Sequence, residues 1–379
     1  MAEEEAELPA CNVTDVVPPD ESLEEVDCVG MGGRSRGFKL THMDTIAEFP
    51  SVRVVRLRQS LIRKIRGVGG LARLTSLELY DNRVKRIEGL EPVAGTLTNL
   101  DISFNRIRTL EGLGALVNLT SLYVANNRLT EIPEGSLDAL TSLRKLDLGS
   151  NKIKELAGVS RCVALRELWL GRNHISTLSA AQLAPLTALR ILDVQSNRVA
   201  RMEGFDTLVA LEELYLGHNK ISRIEGLAAT VVLNTLDVSA NAIVRVVLQD
   251  VAEAEAAAEA EAGGGAEGDA GAGGGAGAER GIEAESGGAS SSGSTATAVA
   301  EAPVAPCLLP GGLPALKELW LNDNPIASFE SVETLAFVAP LLDVLYLERS
   351  PLQRAEPLYR KRIKELIPTL TQIDAEECY

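Results

Sequence analysis

The sequence predicts an α/β solenoid. One parallel β-sheet forms a concave face, short 3₁₀ or extended segments close the convex side, and a helical cap covers the C-terminal end. Three observations carry this. A motif Leu-x-x-Leu-x-Leu-x-x-Asn recurs about every 22 residues, with Asn at 82, 105, 127, 151, 173, 197, 219, 241 and 324 and with Ser60 and Ser350 in the same register. Apolar and outward residues alternate within each unit, as in Leu146-Asp147-Leu148, which is the period of a strand. After the last unit, Tyr359, Ile363, Leu366 and Ile367 follow helical spacing, and Pro368 limits the helix. One unit cannot bury its apolar face alone, so neighbours stack and share a core.

Taken in order, the chain divides as follows. Residues 1–34 read as an acidic, disordered tail, because residues 1–27 hold ten Asp or Glu and no Lys or Arg. Repeats occupy 35–250, opening on a degenerate unit around Phe38, Leu40 and Ile46 that caps the first end. Residues 251–306 read as a disordered Ala/Gly/Glu-rich insertion, since 251–301 carries ten acids against Arg280 alone. The last repeats span 307–354 and the cap 355–379. The net charge of −16 therefore belongs to the two acidic segments, and the remainder is slightly positive.

In each unit the last apolar position after the Asn (Val84, Ile107, Leu129, Ile153) continues the core. Segments such as Ile87-Glu88-Gly89-Leu90 close the convex side. The Asn amide is expected to satisfy backbone groups left unpaired where the chain bends away from the strand. This is the leucine-rich repeat, and its architecture is a horseshoe-shaped solenoid.

Little points to catalysis. The three His (42, 174 and 218) have no Cys or His at metal-ligand spacing, and neither a nucleophile elbow nor a phosphate loop occurs. The expectation is a non-enzyme with no cofactor and no metal. The five Cys are scattered without a C-x-x-C pair, which fits a reducing compartment. Met1–Leu8 is acidic, so no signal peptide is expected, and no apolar run reaches membrane-spanning length. An acidic concave face argues against nucleic acid.

One column of the repeat is not random. The residue between the second and third apolar positions reads Arg56, Glu78, Asp101, Tyr123, Asp147, Trp169, Asp193, Tyr215, Asp237, Trp320, Tyr346. Strands about 4.8 Å apart would make this a strip of roughly 50 Å. Tyr and Trp dominate interface hot spots, and the acids between them select a basic partner. The next outward column is small (Ser103, Ala125, Gly149, Gly171, Gly217, Ser239), which reads as room for close approach.

Several segments carry a closer resemblance: Glu-Leu-Tyr-Asp-Asn (78–82), Leu-Asp-Ile-Ser-Phe-Asn (100–105), Trp-Leu-Asn-Asp-Asn (320–324), Tyr-Leu-Glu-Arg (346–349) and Leu-Ile-Pro-Thr-Leu-Thr-Gln-Ile-Asp (366–374). They resemble the 22-residue leucine-rich-repeat regulatory subunits of type 1 Ser/Thr protein phosphatase, the regulatory subunit 7 family. The resemblance implies that Asp101, Tyr123, Asp147, Trp169, Asp237, Glu318, Trp320 and Tyr346 contact the phosphatase catalytic subunit. Asp193 and Tyr215 join them by position in the column. The family favours Phe where this chain has Tyr123 and Trp169, and Glu where it has Asp147. The resemblance further implies a nuclear and cytoplasmic protein that controls the phosphatase, with a further phosphatase inhibitor as a partner in a ternary complex. The alternative is a structural adaptor of the ciliary or spliceosomal type with a different protein partner.

Overall fold

The structure, a computed structural model, describes residues 10–30, 39–248, 307–309 and 312–378. Among them, one sheet of fourteen strands runs the length of the array. Each repeat contributes a three-residue strand such as Ser76–Glu78, Lys145–Asp147 or Glu318–Trp320, and every neighbouring pair of repeat strands is parallel. The middle residue of each strand is Leu or Val and is fully buried, as Leu77, Leu146 and Leu214 are. Its two neighbours face out and are half-buried in the strands from Val54–Arg56 to Val344–Tyr346, except Asp237, which is buried. The buried Leu stack turn upon turn into one continuous core. Burial of each contributes about 1.5–3 kcal/mol.

The Asn column has the structural role expected of it. In Asn82, Nδ2 donates to the carbonyls of Leu57, Leu79 and Tyr80, while Oδ1 accepts from the Ile62 N–H. The same set recurs through Asn324, whose Oδ1 accepts from Ile243 N across the insertion. The residue before each Asn takes a left-handed conformation, from φ 49 at Ala240 to φ 59 at Arg349 in the Ser350 turn. A non-glycine residue pays strain there, and the fan of amide hydrogen bonds holds it in place. Convex closures are mostly turns, with 3₁₀ segments at Val68–Gly70 and Glu91–Val93 and short helices at Ala180–Leu183 and Glu330–Glu333. Gly89 shows why many closures carry a glycine: its φ is 77, and a Cβ there would stand 2.9 Å from the Ile65 carbonyl oxygen.

Both ends differ from a plain repeat. Ser350 caps the helix Pro351–Ala355 by accepting from Gln353 N, with Pro351 at the first helical position. The helix Tyr359–Leu366 buries Tyr359 and Ile363, and Ile367 beyond it is also buried. Lys364 Nζ reaches the terminal carbonyls of Pro368 and Leu370. This is the expected C-terminal cap. It is followed by a hairpin, Gln372–Ile373 with Glu376–Glu377, that ends the sheet.

The N-terminal expectation needs correction. Residues 10–30 are not a disordered tail. Glu25–Asp27 is the first strand of the main sheet, paired with Val54–Arg56, and Ala10–Cys11 pairs with Lys39–Leu40 in a small separate sheet. Val13, Val26 and Cys28 are buried at 0–1%. Of the acids that suggested disorder, Glu25 and Asp27 both face Arg56, at 2.9 and 3.9 Å. Leu40 and Ile46 are buried as a cap requires, but Leu40 lies outside the main sheet. Phe38 and the expected insertion at 251–306 lie outside the described residues. Val246–Leu248 and Cys307–Leu309, which flank that insertion, pair in a small separate parallel sheet, and the main-sheet strands beyond them are direct neighbours, with Asp237 paired to Trp320.

Candidate functional site

Strand pairing puts the predicted column in one row. Asp27, Arg56, Glu78, Asp101, Tyr123, Asp147, Trp169, Asp193, Tyr215, Asp237, Trp320 and Tyr346 are successive register partners. The period-2 alternation of each strand turns them all to the open face. Asp27 extends the row by one turn beyond the sequence expectation.

The row is not uniform in charge. At its start, Glu78 is held between Arg56, at 3.3 Å, and Arg58, so this end is neutralised. Among the described residues, the row aspartates from Asp101 onward form no such ion pairs. Burial pushes the carboxyls of Asp101, Asp147, Asp193 and Asp237 up. Asp193, with Asp147 and Asp237 two strands away on either side, reaches about 6. Each aspartate also accepts a hydrogen bond from the backbone N–H two residues on, at 2.8–2.9 Å: Ser103, Gly149, Gln195 and Ser239. Asp237 is the least accessible, at 2% exposure.

This geometry corrects the reading of the small column. A Cβ on Gly171 would stand 2.7 Å from Asp193 Oδ2, and one on Gly217 2.8 Å from Asp237 Oδ2. At Gly171 and Gly217 the residue is small because the next strand's carboxylate fills the space, so these two positions leave no cleared approach for a partner.

The aromatics are half-buried and anchored. Trp169 Nε1 donates to Glu167, Tyr215 OH to Glu213 and Trp320 Nε1 to Glu318, each two residues back on the same face. Burial and the Glu213 hydrogen bond push the Tyr215 hydroxyl pKa up. Trp320 and Tyr346 touch across their strands, with centroids 5.2 Å apart and planes tilted by 59°. Tyr346 OH accepts from Gln372 Nε2 of the terminal hairpin. The sequence expectation names Glu318 alone. Glu167 and Glu213 hold the same position, and the signal is a Glu-Leu-aromatic triplet at 167–169, 213–215 and 318–320. Asp147, Trp169, Arg172, Asp193 and His218 line a shallow hollow of ≈ 390 Å³ midway along the row. Among the described residues, no cluster of His, Cys, Asp or Glu could hold a metal ion.

Comparison with known proteins agrees with this architecture. The leucine-rich-repeat family model matches residues 54–181. A leucine-rich-repeat protein of Leptospira interrogans superposes with TM-score 0.60 at 19% identity, covering 89% of this chain and 76% of that one. The functional domain of InlJ from Listeria monocytogenes gives TM-score 0.57 at 19% identity over 88% of this chain and 55% of that one. The fold is a leucine-rich-repeat solenoid. Likeness at this identity speaks for the fold alone. Among curated proteins, the protein phosphatase 1 regulatory subunit SDS22 of Schizosaccharomyces pombe is 38% identical over 65 residues. That match spans 17% of this chain and 20% of the yeast protein.

Proposed function

We propose that this protein is a regulatory subunit that binds the catalytic subunit of type 1 Ser/Thr protein phosphatase on the open face of its sheet and controls its activity or maturation. The observation that carries the reading is the alternating row from Asp101 to Tyr346, with Glu318 beside Trp320. The rigid aromatics supply contact area at low entropic cost, and the acids between them attract a basic surface and fix its register. The partial similarity to the yeast phosphatase subunit supports the choice of partner. A further phosphatase inhibitor in a ternary complex, and a location in nucleus and cytoplasm, belong to the same proposal.

A different protein partner, with the chain acting as an adaptor, is favoured by one observation. Each row aspartate accepts a hydrogen bond from the backbone N–H two residues on, a local contact that needs no docked phosphatase. Calorimetric titration of the purified full chain with the purified catalytic subunit decides between the two. The proposal expects saturable one-to-one binding. Absence of heat up to high micromolar concentration, with another protein recovered by affinity capture, would leave only the adaptor.

A further inference from the structure

A second row runs beside the acidic one. The residues directly after the first seven Asn are Arg83, Arg106, Arg128, Lys152, His174, Arg198 and Lys220, and the row ends there, with Ala242 and Pro325 after Asn241 and Asn324. Backbone hydrogen bonds stack these positions. The N–H of Arg106 donates to Val84 O, that of Arg128 to Ile107 O, that of Lys152 to Leu129 O, and that of Lys220 to Val199 O, at 2.8–2.9 Å. The row therefore advances about 4.8 Å per turn, and its six intervals span roughly 29 Å. Arg106, Arg128, Lys152, Arg198 and Lys220 are exposed. None of the six cations forms an ion pair among the described residues. By contrast, Arg56, Lys145, Arg190 and Arg349 on other faces are all paired. At its N-terminal end the row opens into a hollow of ≈ 740 Å³, where Lys85, Arg86 and Arg108 join it and Glu88, Glu91 and Glu111 face them.

From this ridge we infer a docking surface for an extended acidic segment of a partner protein. A single file of unneutralised cations fits a linear polyanion. An extended chain rising about 3.3–3.4 Å per residue covers the ridge with roughly nine residues. Nucleic acid fits less well. Single-strand sites add aromatic faces on which bases stack, whereas the third position after each Asn holds Lys85, Arg108, Thr130, Lys154, Ser176, Ala200 and Ser222. The three glutamates of the hollow also discriminate. An extended peptide offers them backbone N–H donors, while a phosphodiester backbone or a phospholipid phosphate offers none. The hollow at the end of the ridge is lined by none of the acid–aromatic row residues.

The test is fluorescence anisotropy of a labelled Glu/Asp peptide about nine residues long, titrated with the full chain. The expected result is saturable binding that weakens at least tenfold between roughly 0.05 and 0.3 M salt. The variant Arg106→Glu/Arg128→Glu/Lys152→Glu should lose at least about tenfold in affinity. The charge-matched variant Arg73→Glu/Arg144→Glu/Arg161→Glu should bind as wild type, and Arg106→Gln/Arg128→Gln should lose affinity if the triple reversal fails to fold. Equal losses in both triple variants would mean a general charge effect and overturn the assignment. Tighter binding of an oligothymidylate of equal charge, or of phosphatidylserine vesicles, would overturn the choice of partner. Peptide binding seen only after residues 251–301 are replaced by a short linker would mean that the ridge is occupied within the chain.

Discussion

Replacing Asn151 by Ala removes four hydrogen bonds, but they are not equivalent. Nδ2 donates to Val124 O, Leu148 O and Gly149 O at 3.0, 2.9 and 3.2 Å, and Oδ1 accepts from Leu129 N at 3.0 Å. Val124 O keeps a second amide, from Asn127, and Leu148 O keeps one from Asn173. The fully buried Leu129 has no such reserve, because Asn151 is the acceptor of its N–H. The cost is therefore mainly one stranded buried donor, about 1–3 kcal/mol, and not four lost bonds. Thermal and urea unfolding of Asn151→Ala should show a loss near 2 kcal/mol, with partner affinity changed only through unfolding. Asn151→Asp separates the two halves of the amide. It keeps the acceptor for Leu129 N but turns a carboxylate oxygen toward three carbonyls, so at neutral pH it should be less stable than the Ala variant. Its buried carboxyl pKa would be raised, so its stability should recover as pH falls and the group protonates. A melt of Asn151→Ala indistinguishable from wild type, or an Asp variant more stable than Ala at pH 7, would refute the reasoning.

Trp320→Ala removes the ring that touches Tyr346 at 5.2 Å, and it should weaken phosphatase binding roughly thirtyfold, the usual loss for an anchor worth about 2 kcal/mol, with little change in the melt. Gly171→Ala drives a Cβ to 2.7 Å from Asp193 Oδ2; the melt should fall by about 1–3 kcal/mol, and adding Asp193→Ala should restore part of it in a double-mutant cycle. The Asp193 carboxyl sits near 6 when folded, against 3.8 for the free group; its favourable contribution is complete below pH 4 and is lost as pH rises through 6, so Asp193→Asn should flatten this part of the stability profile and raise stability at pH 7 by at most about 3 kcal/mol, as calorimetry across pH would read. Replacing residues 251–301 with a short Gly/Ser linker should leave one cooperative transition and intact binding, because Val238 N already bonds to Trp320 O across the junction; a split transition or lost binding would contradict this.

The repeat register was legible because period-2 alternation and the Asn fix every strand to within a residue. The row from Arg56 to Tyr346 pairs in the structure as the alignment orders it. What was not legible has physical causes. The Glu25–Asp27 strand lies among acids, and composition alone makes such a stretch look unfolded. Its one buried side chain in the sheet, Val26, finds the core only because Val55 of the next turn is there to receive it. Gly171 and Gly217 were read as open space because sequence shows which residues are small but not what fills the gap. The carboxylates of Asp193 and Asp237 fill it from a neighbouring strand. Glu167 and Glu213 could have been found from the Glu-Leu-aromatic triplet, whose members share a face two residues apart.

The claim that the open face carries the partner is tested most directly by hydroxyl-radical footprinting of the full chain with and without the type 1 catalytic subunit, read by mass spectrometry. Trp169, Tyr215, Trp320 and Tyr346 are half-exposed in the free protein and should all be oxidised more slowly in the complex, while the exposed Phe337 and Leu358, away from the row, keep their rates. Unchanged oxidation along the row in a saturated complex, with protection appearing at Phe337 or Leu358, would place the interface elsewhere and contradict the account.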